Sequence, residues 1–288
     1  MVMGSLTANG LWPMAVKNKG RLTANGQWLM AVLLLFTIHF SLFTLGFAQS
    51  SHSTMFGGGT VNIYDSYLSP YSFTGYELRI IRETSRPTKM LDGNVSVQTL
   101  LNFDGGYLDN IAGNAHEWVA GIRYSFNWHY NFRPMLDSRL KLMAGPGISG
   151  YLGGIYNTRN GNNPAQQKTD IMINLSAQAS YDFTLWNKPL HARYELTVPF
   201  IGTAFSPNYG QSYYEIYSRG NYDRNMVFAW FGNKPSMQHL LTLDFPVGKS
   251  TVRVGYLGEF NQSTWNNLRY HQYSHNFLIG WVKRFQRL

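Results

Sequence analysis

Asp170–Trp186 reads DIMINLSAQASYDFTLW. Its odd positions from Ile171 to Leu185 are Ile, Ile, Leu, Ala, Ala, Tyr, Phe and Leu, and its even positions from Asp170 to Thr184 are Asp, Met, Asn, Ser, Gln, Ser, Asp and Thr. Side chains along a β-strand point alternately to opposite faces, so this period of two predicts one strand with an apolar face and a polar face. It outruns the roughly 5 or 6 residues usual for strands of soluble sheets.

The same period recurs along the chain. From Trp118 to Phe132 the even positions are Trp, Ala, Ile, Tyr, Phe, Trp, Tyr and Phe, set against polar or small odd positions. Leu190–Phe200 and Val252–Phe260 repeat it. Weaker versions cover Phe56–Asp65, Tyr76–Glu83, Val95–Asp104, Leu140–Leu152, Met237–Phe245 and His275–Phe285, which makes ten predicted strands. Their connections alternate in length. Short or moderate links at 86–93, 133–138, 187–189 and 246–250 fall on one side, with both termini, and longer links at 106–115, 154–168, 204–236 and 262–273 fall on the other.

That asymmetry is the pattern of a transmembrane barrel, with short periplasmic turns and long outer loops. A soluble β-sandwich also alternates apolar and polar residues, but with shorter strands and free Lys and Glu on its wet face. Here the rings gather near strand ends, as in Tyr130 and Phe132, Tyr181 and Phe183, and Trp281 and Phe285, where the two aromatic girdles of a bilayer lie. The expected fold is therefore all-β, an antiparallel up-and-down transmembrane barrel of about ten strands, within a range of 8 to 12.

Composition agrees. The 288 residues include no cysteine, and 14% are charged against 16% aromatic. The charged share is well below the roughly 25% of ordinary soluble domains. The mean hydropathy of −0.24 is too polar for a helical membrane protein. Absence of cysteine excludes disulfides, thiolate catalysis and thiolate-bound zinc.

Lys17, Lys19 and Arg21 precede the apolar run WLMAVLLLFTIHFSLFTLGFA, with Gly46 and Ala48 at the −3 and −1 positions of a cleavage site. This reads as a signal peptide over residues 1–48, leaving a single barrel domain over 49–288. Losing those three cations lowers the formal net charge from +9 to +6, which makes no case for nucleic acid as a partner. LTANGLWPMAV at Leu6–Val16 recurs as LTANGQWLMAV at Leu22–Val32, and reads as a short duplication rather than a structural repeat.

Signal peptide, even strand count, two-faced strands and the terminal stretch NFLIGWVKRF together resemble the Gram-negative outer-membrane β-barrels, and among them the barrels of unknown function. In that family the last strand carries a glycine and spaced aromatics that the folding machinery recognises. Gly280 and Phe285 match, whereas Lys283 and the closing QRL depart from the pattern. The resemblance implies an outer-membrane location. It also implies contact with membrane lipid and lipopolysaccharide, and with secretion and barrel-assembly machinery during biogenesis.

The polar faces projected inward include Glu117, Arg123, Arg139, Lys141, Asp170, Asp182, Arg193, Glu195, Arg253 and Glu259. A barrel of this size is too narrow to hydrate them freely, so they are expected to pair and close the lumen. Glu117 and Arg123 are expected beside Arg139 and Lys141, and Asp170 and Asp182 beside Arg193 and Glu195. A narrow solute channel is the alternative.

No G-x-S-x-G or Walker loop occurs, and HEWVA at His116–Ala120 lacks the second histidine of a zinc-protease helix. No metal spacing or cofactor fingerprint stands out. A rim-site hydrolase would have to draw on Asp223, Glu215, His271 and His275. The loop 204–236 is dense in Tyr and Asn, and its Tyr213, Tyr214, Tyr217, Arg219, Tyr222, Arg224 and Trp230 form a candidate binding surface, or else a lid packed on the mouth. The resulting expectation is a non-enzymatic structural or surface-binding barrel.

Overall fold

The computed structural model describes residues 49–132, 139–248 and 250–286; the expected signal peptide and the LTANG duplication lie outside the described residues, as does the side chain of Phe285. The strands are β1 (Gln49–Asp65), β2 (Ser72–Pro87), β3 (Val95–Asn110), β4 (His116–Phe132), β5 (Leu140–Asn157), β6 (Ala165–Leu185), β7 (Lys188–Phe205), β8 (Met226–Trp230), β9 (Met237–Val247), β10 (Ser250–Trp265) and β11 (Leu268–Gln286). One short helix, α1 (Tyr213–Tyr217), lies between β7 and β8.

Every pairing is antiparallel, consecutive strands pair except β8 with β9, and β1 pairs β11 along its whole length, from Gln49 opposite Gln286 to Asp65 opposite Tyr270. β7 pairs β9 over His191–Thr197 and β8 over Ile201–Phe205. β8 and β9 are thus two pieces of one stave, and the sheet closes as a barrel of ten staves. A line of paired residues that leaves β6 at Ala177 passes through Leu196, His239, Gly258, His275, Thr60, Tyr76, Tyr107, Trp118 and Tyr156 and returns to β6 at Ala165. That stagger tilts the staves against the barrel axis and fixes its bore.

β6 shows why the wall stands in lipid. Ile171, Ile173 and Leu175 are 51%, 49% and 52% exposed, while Asn174 and Ser176 between and after them are 1% and 3% exposed. A protein in water buries the first set and exposes the second, so this inversion requires an apolar medium outside and a packed polar interior. Closure satisfies the backbone groups that an open sheet edge would leave bare in hydrocarbon. Aromatic pairs mark both girdles: Phe56 with Trp281 (ring centroids 5.8 Å apart) and Tyr130 with Phe132 (5.1 Å) toward the terminal end, Tyr107 with Trp118 (4.8 Å) toward the other.

The ten predicted strands are present, each longer than expected. The outer connections are correspondingly shorter. What reads as a loop at 262–273 is the top of a hairpin, turned by Asn266 and Asn267 at φ of 50° and 63°. Asparagine tolerates this left-handed backbone, which the tight two-residue hairpin demands. Residues 106–110 and 154–157 likewise belong to β3 and β5. On β7 the register slips: Ile173 faces Ile201 and Asn174 faces Pro199, leaving Phe200 as a bulge. Pro199, unable to donate to a ladder, sits where pairing is already interrupted.

Candidate functional site

The strand parity that sends apolar residues to lipid sends an ordered stack of groups into the lumen. Nearest the terminal end, Arg193 of β7 grips both carboxylate oxygens of Glu83 of β2, one at 2.8 Å and one closer. Arg253 of β10 reaches Glu83 at 2.7 Å and Asp244 of β9 at 2.6 and 2.9 Å. Gln98 bridges Glu83 (2.9 Å) and Glu195 (2.8 Å), and His129 meets Ser176 at 3.0 Å. All of these side chains are buried.

Above this cluster Met55, Ile81, Leu100, Leu240, Leu257 and Leu278 meet as an apolar layer inside the barrel. Above the layer Arg79 gathers Glu77 at 3.0 Å, Glu259 at 2.6 Å and Asp104 at 3.8 Å, with Asn276 donating to Glu77 at 2.6 Å and Tyr151 to Asp104 at 3.2 Å. Tyr151 has room to cross because Gly121 and Gly153 face it, where any side chain would collide with its ring. Higher still, Asp170 takes Lys234 at 2.8 Å and Arg123 at 3.8 Å, and Asp65 takes Lys168 at 2.7 Å. Lys168 also lies 3.6 Å from the Tyr270 ring centroid.

These groups leave little space. The chamber between Asp65, Lys168, Asp170, Lys234 and Tyr270 has a volume of about 40 Å³, and two cavities beside Arg123, Thr197 and Gln238 measure about 20 and 10 Å³. A buried water needs about 10 to 15 Å³ by the same measure, so these three cavities hold from one to a few waters each.

A lid lies over the chamber. Ser212 caps α1, accepting from the Glu215 amide at 3.2 Å, while the Glu215 carboxylate accepts from the Ser212 amide at 2.8 Å. Ile216 is fully buried, Tyr213 stacks against Tyr217 and meets Phe205 at a tilt, and the Tyr213 hydroxyl accepts the Gln167 amide at 2.6 Å. Tyr67, from the β1–β2 connection, packs edge-on against Tyr213 and donates to the Gln211 carbonyl at 3.0 Å. Burial first, then the Asp65 and Glu215 carboxylates, raises the Tyr67 phenol to about 12, and burial also raises Tyr213. Asn225, buried, ties the far side of the loop to Ser206 and Gln211 at 3.1 and 2.6 Å.

The structure separates several residues that the sequence brings together. Arg139 is exposed in the turn before β5, and Lys141 (60% exposed) pairs at 3.2 Å with Asp182 (46% exposed) at the terminal rim. Neither approaches Glu117, which lies at the opposite end of β4 and accepts from Asn157 at 2.9 Å. Asp182 meets His191 at 2.7 Å rather than Arg193. Glu195 accepts from Gln98 at 2.8 Å and from Ser176 at 3.5 Å rather than forming an ion pair of its own. Glu83, the hub of the lower cluster, and Asp65, Lys168 and Lys234 of the upper one are missed by the inward projection. Glu83 alternates inward with Arg79 and Glu77 on β2, so its parity was the available signal.

In the loop, Tyr213 is largely turned inward, whereas Tyr214, Tyr217 and Tyr222 are exposed, Arg219 lies over the Tyr214 ring and Arg224 is exposed beside the Asn266 turn. Trp230 is not in the loop: it ends β8 on the outer wall. The hydrolase candidates do not converge. Glu215 is spent on the cap, His271 stacks against Tyr64 and Tyr273 and bonds Asn62, and His275 faces outward against Tyr256. Among the described residues no cluster of His, Cys, Asp and Glu could hold a metal ion.

An apolar belt between aromatic girdles, a closed ladder and a packed polar lumen define an integral β-barrel of the Gram-negative outer membrane. The chain belongs to the family described as "Protein of unknown function (DUF3316)", whose model matches residues 29–288. No functionally curated relative matches it by sequence. Among solved structures it is similar to the transport unit of the autotransporter AIDA-I from Escherichia coli, with 7% identity, TM-score 0.46, and 86% of this chain and 92% of that one covered. It is similar also to the outer membrane protease OmpT from Escherichia coli, with 10% identity, TM-score 0.45, and coverage of 84% and 99%. The translocator domain of autotransporter NalP from Neisseria meningitidis follows with 10% identity, TM-score 0.36, and coverage of 90% and 97%.

Proposed function

We propose that this chain serves as a closed, non-enzymatic outer-membrane barrel whose lumen is locked by charge pairing and whose outer lid presents an aromatic contact surface. The observation that carries this reading is the stack of buried ion pairs above and below an apolar layer, in which the chamber beside Asp170 and Lys234 measures only about 40 Å³. An ion crossing the lumen would have to shed its water at Leu240 and Leu257 and displace a paired guanidinium, each a costly step. Exposed Tyr214, Tyr217 and Tyr222 beside Arg219 offer ring faces and a cation to lipopolysaccharide or to a surface ligand. Removal of residues 1–48 by signal peptidase and assembly through the terminal strand complete the reading; N-terminal sequencing of membrane-extracted protein is expected to begin at Gln49.

Conductance in planar bilayers tests the closed lumen. The purified protein is expected to give no steady current. A stable, ion-selective conductance would overturn the plug and install the narrow channel in its place.

A further inference from the structure

Near its terminal end the outer wall of the barrel carries a cluster of cations. Outward positions on β1 are the even ones, because Ser53 and Met55 are buried; on β2 they are the even ones beside buried Ile81 and Glu83; on β11 they are the odd ones beside buried Leu278 and Val282. This parity puts His52, Arg82, Arg86 and Lys283 on the lipid side of three adjacent strands. His52 is paired with Lys283 on one side and with Thr84 on the other, and Arg82 and Arg86 flank Thr84 at two residues either way. With strands about 4.8 Å apart and a rise of about 3.3 Å per residue, the four Cα atoms fall in a patch on the order of 13 Å across.

Three features give the patch a chemical meaning. It lies in the terminal half of the wall: Arg82 and Trp281 both pair with Thr54, so the arginine stands in register with a girdle tryptophan. No carboxylate shares the outward faces of β11, β1 and β2; Glu83 turns inward to Arg193 and Arg253, and Asp92 lies in the turn beyond Pro87. Arg82 and Lys283 are exposed, and among the described residues the lipid-facing positions of β5, β6, β9 and β10 carry no Lys or Arg at all. A cation on a lipid-facing wall is costly at the midplane and tolerated near the interface, and a cluster of cations there attracts anionic headgroups.

We propose that His52, Arg82, Arg86 and Lys283 form a site on the outside of the barrel for the phosphate of an anionic phospholipid in the periplasmic leaflet. Arg82 and Arg86 supply forked donors suited to phosphate oxygens, and Lys283 supplies a point charge across the row. The acyl chains then run along Phe56, Ile80 and Ile279, which are exposed on the same strands. The site is independent of whether the lumen conducts.

Native mass spectrometry of the mature protein, extracted from phosphatidylcholine vesicles containing phosphatidylglycerol, tests the site. Retained phosphatidylglycerol is expected on the unmodified protein in excess over phosphatidylcholine. The triple variant Arg82→Gln, Arg86→Gln, Lys283→Gln should retain at least about tenfold less, since each cation near an anionic surface contributes comparably. Lys283→Gln alone serves where the triple variant does not fold, and should give a partial loss. Added inorganic phosphate should not compete, because it lacks the chains that the wall contacts. Equal retention by unmodified protein and variants, or no preference for the anionic lipid, would overturn the site, and displacement by inorganic phosphate would replace a lipid site with a plain anion site.

Discussion

Arg193 and Glu83 join in a two-pronged ion pair across the barrel, from β7 to β2, although 110 residues separate them in the chain. The two strands lie five staves apart whichever way round the barrel one counts, so this bond spans the bore. Arg253 reaches the same carboxylate from a third strand. A single anion thereby holds two guanidinium groups in a space with no room for counter-ions.

Removing that anion should be expensive. Glu83→Ala is expected to cost about 3 to 5 kcal/mol, the usual loss when a buried pair is broken and its partner left uncompensated. Lys141→Ala, which breaks the exposed pair with Asp182, should cost no more than about 1 kcal/mol. Urea unfolding in lipid vesicles compares them, and equal losses would deny the lower cluster its role.

The lipid-facing assignment is tested at Ala177, exposed on the apolar stripe of β6. Ala177→Arg should cost about 2 to 4 kcal/mol near the midplane, while Asn162→Arg in the β5–β6 connection should be neutral. Equal tolerance of the two substitutions would reject the orientation of the wall.

The apolar layer should behave as a core. Leu240→Ala, at a side chain 1% exposed, is expected to lose about 2 to 5 kcal/mol as a truncated buried leucine. Bilayer recordings of the same variant should show brief leaks above the unmodified baseline. Unchanged stability would mean that the layer does not pack.

Alkaline pH should loosen the lid. The Tyr67 phenol is raised to about 12 and that of Tyr213 is raised with it, so the folded lid holds their protons more tightly than the unfolded chain, whose phenols titrate near 10. Their contribution is therefore complete below pH about 10 and declines as pH rises through the folded values. Phenolate absorbance together with proteolysis of the 206–225 loop should show cleavage setting in above pH about 10. A loop cut equally at pH about 8 would remove these tyrosines as its fastening.

The strands were legible because the pleat imposes a period of two wherever the two faces meet different media. Ile171, Ile173 and Leu175 against Asn174 and Ser176 carry the same message in the chain and in the wall. Strand ends were less legible. Asn266 and Asn267 look like loop residues in the chain, yet their left-handed backbone lets β10 and β11 run on to meet them. Trp230 was read into a loop because the break at 231–236, which splits one stave, has no periodic signature.

The sequence by itself determined the class of fold and the face on which each side chain lies, since both follow from local alternation along single strands. Only the tertiary structure decided which charges meet. Lys141 shares a strand face with inward groups but ends at the rim, and Arg139 lies in the turn before it, whereas Glu83, Asp65, Lys168 and Lys234 reach partners that are distant in the chain. Those pairings depend on the stagger that returns Ala177 to Ala165 around the barrel, because a shift of register by two residues keeps every face and changes every neighbour.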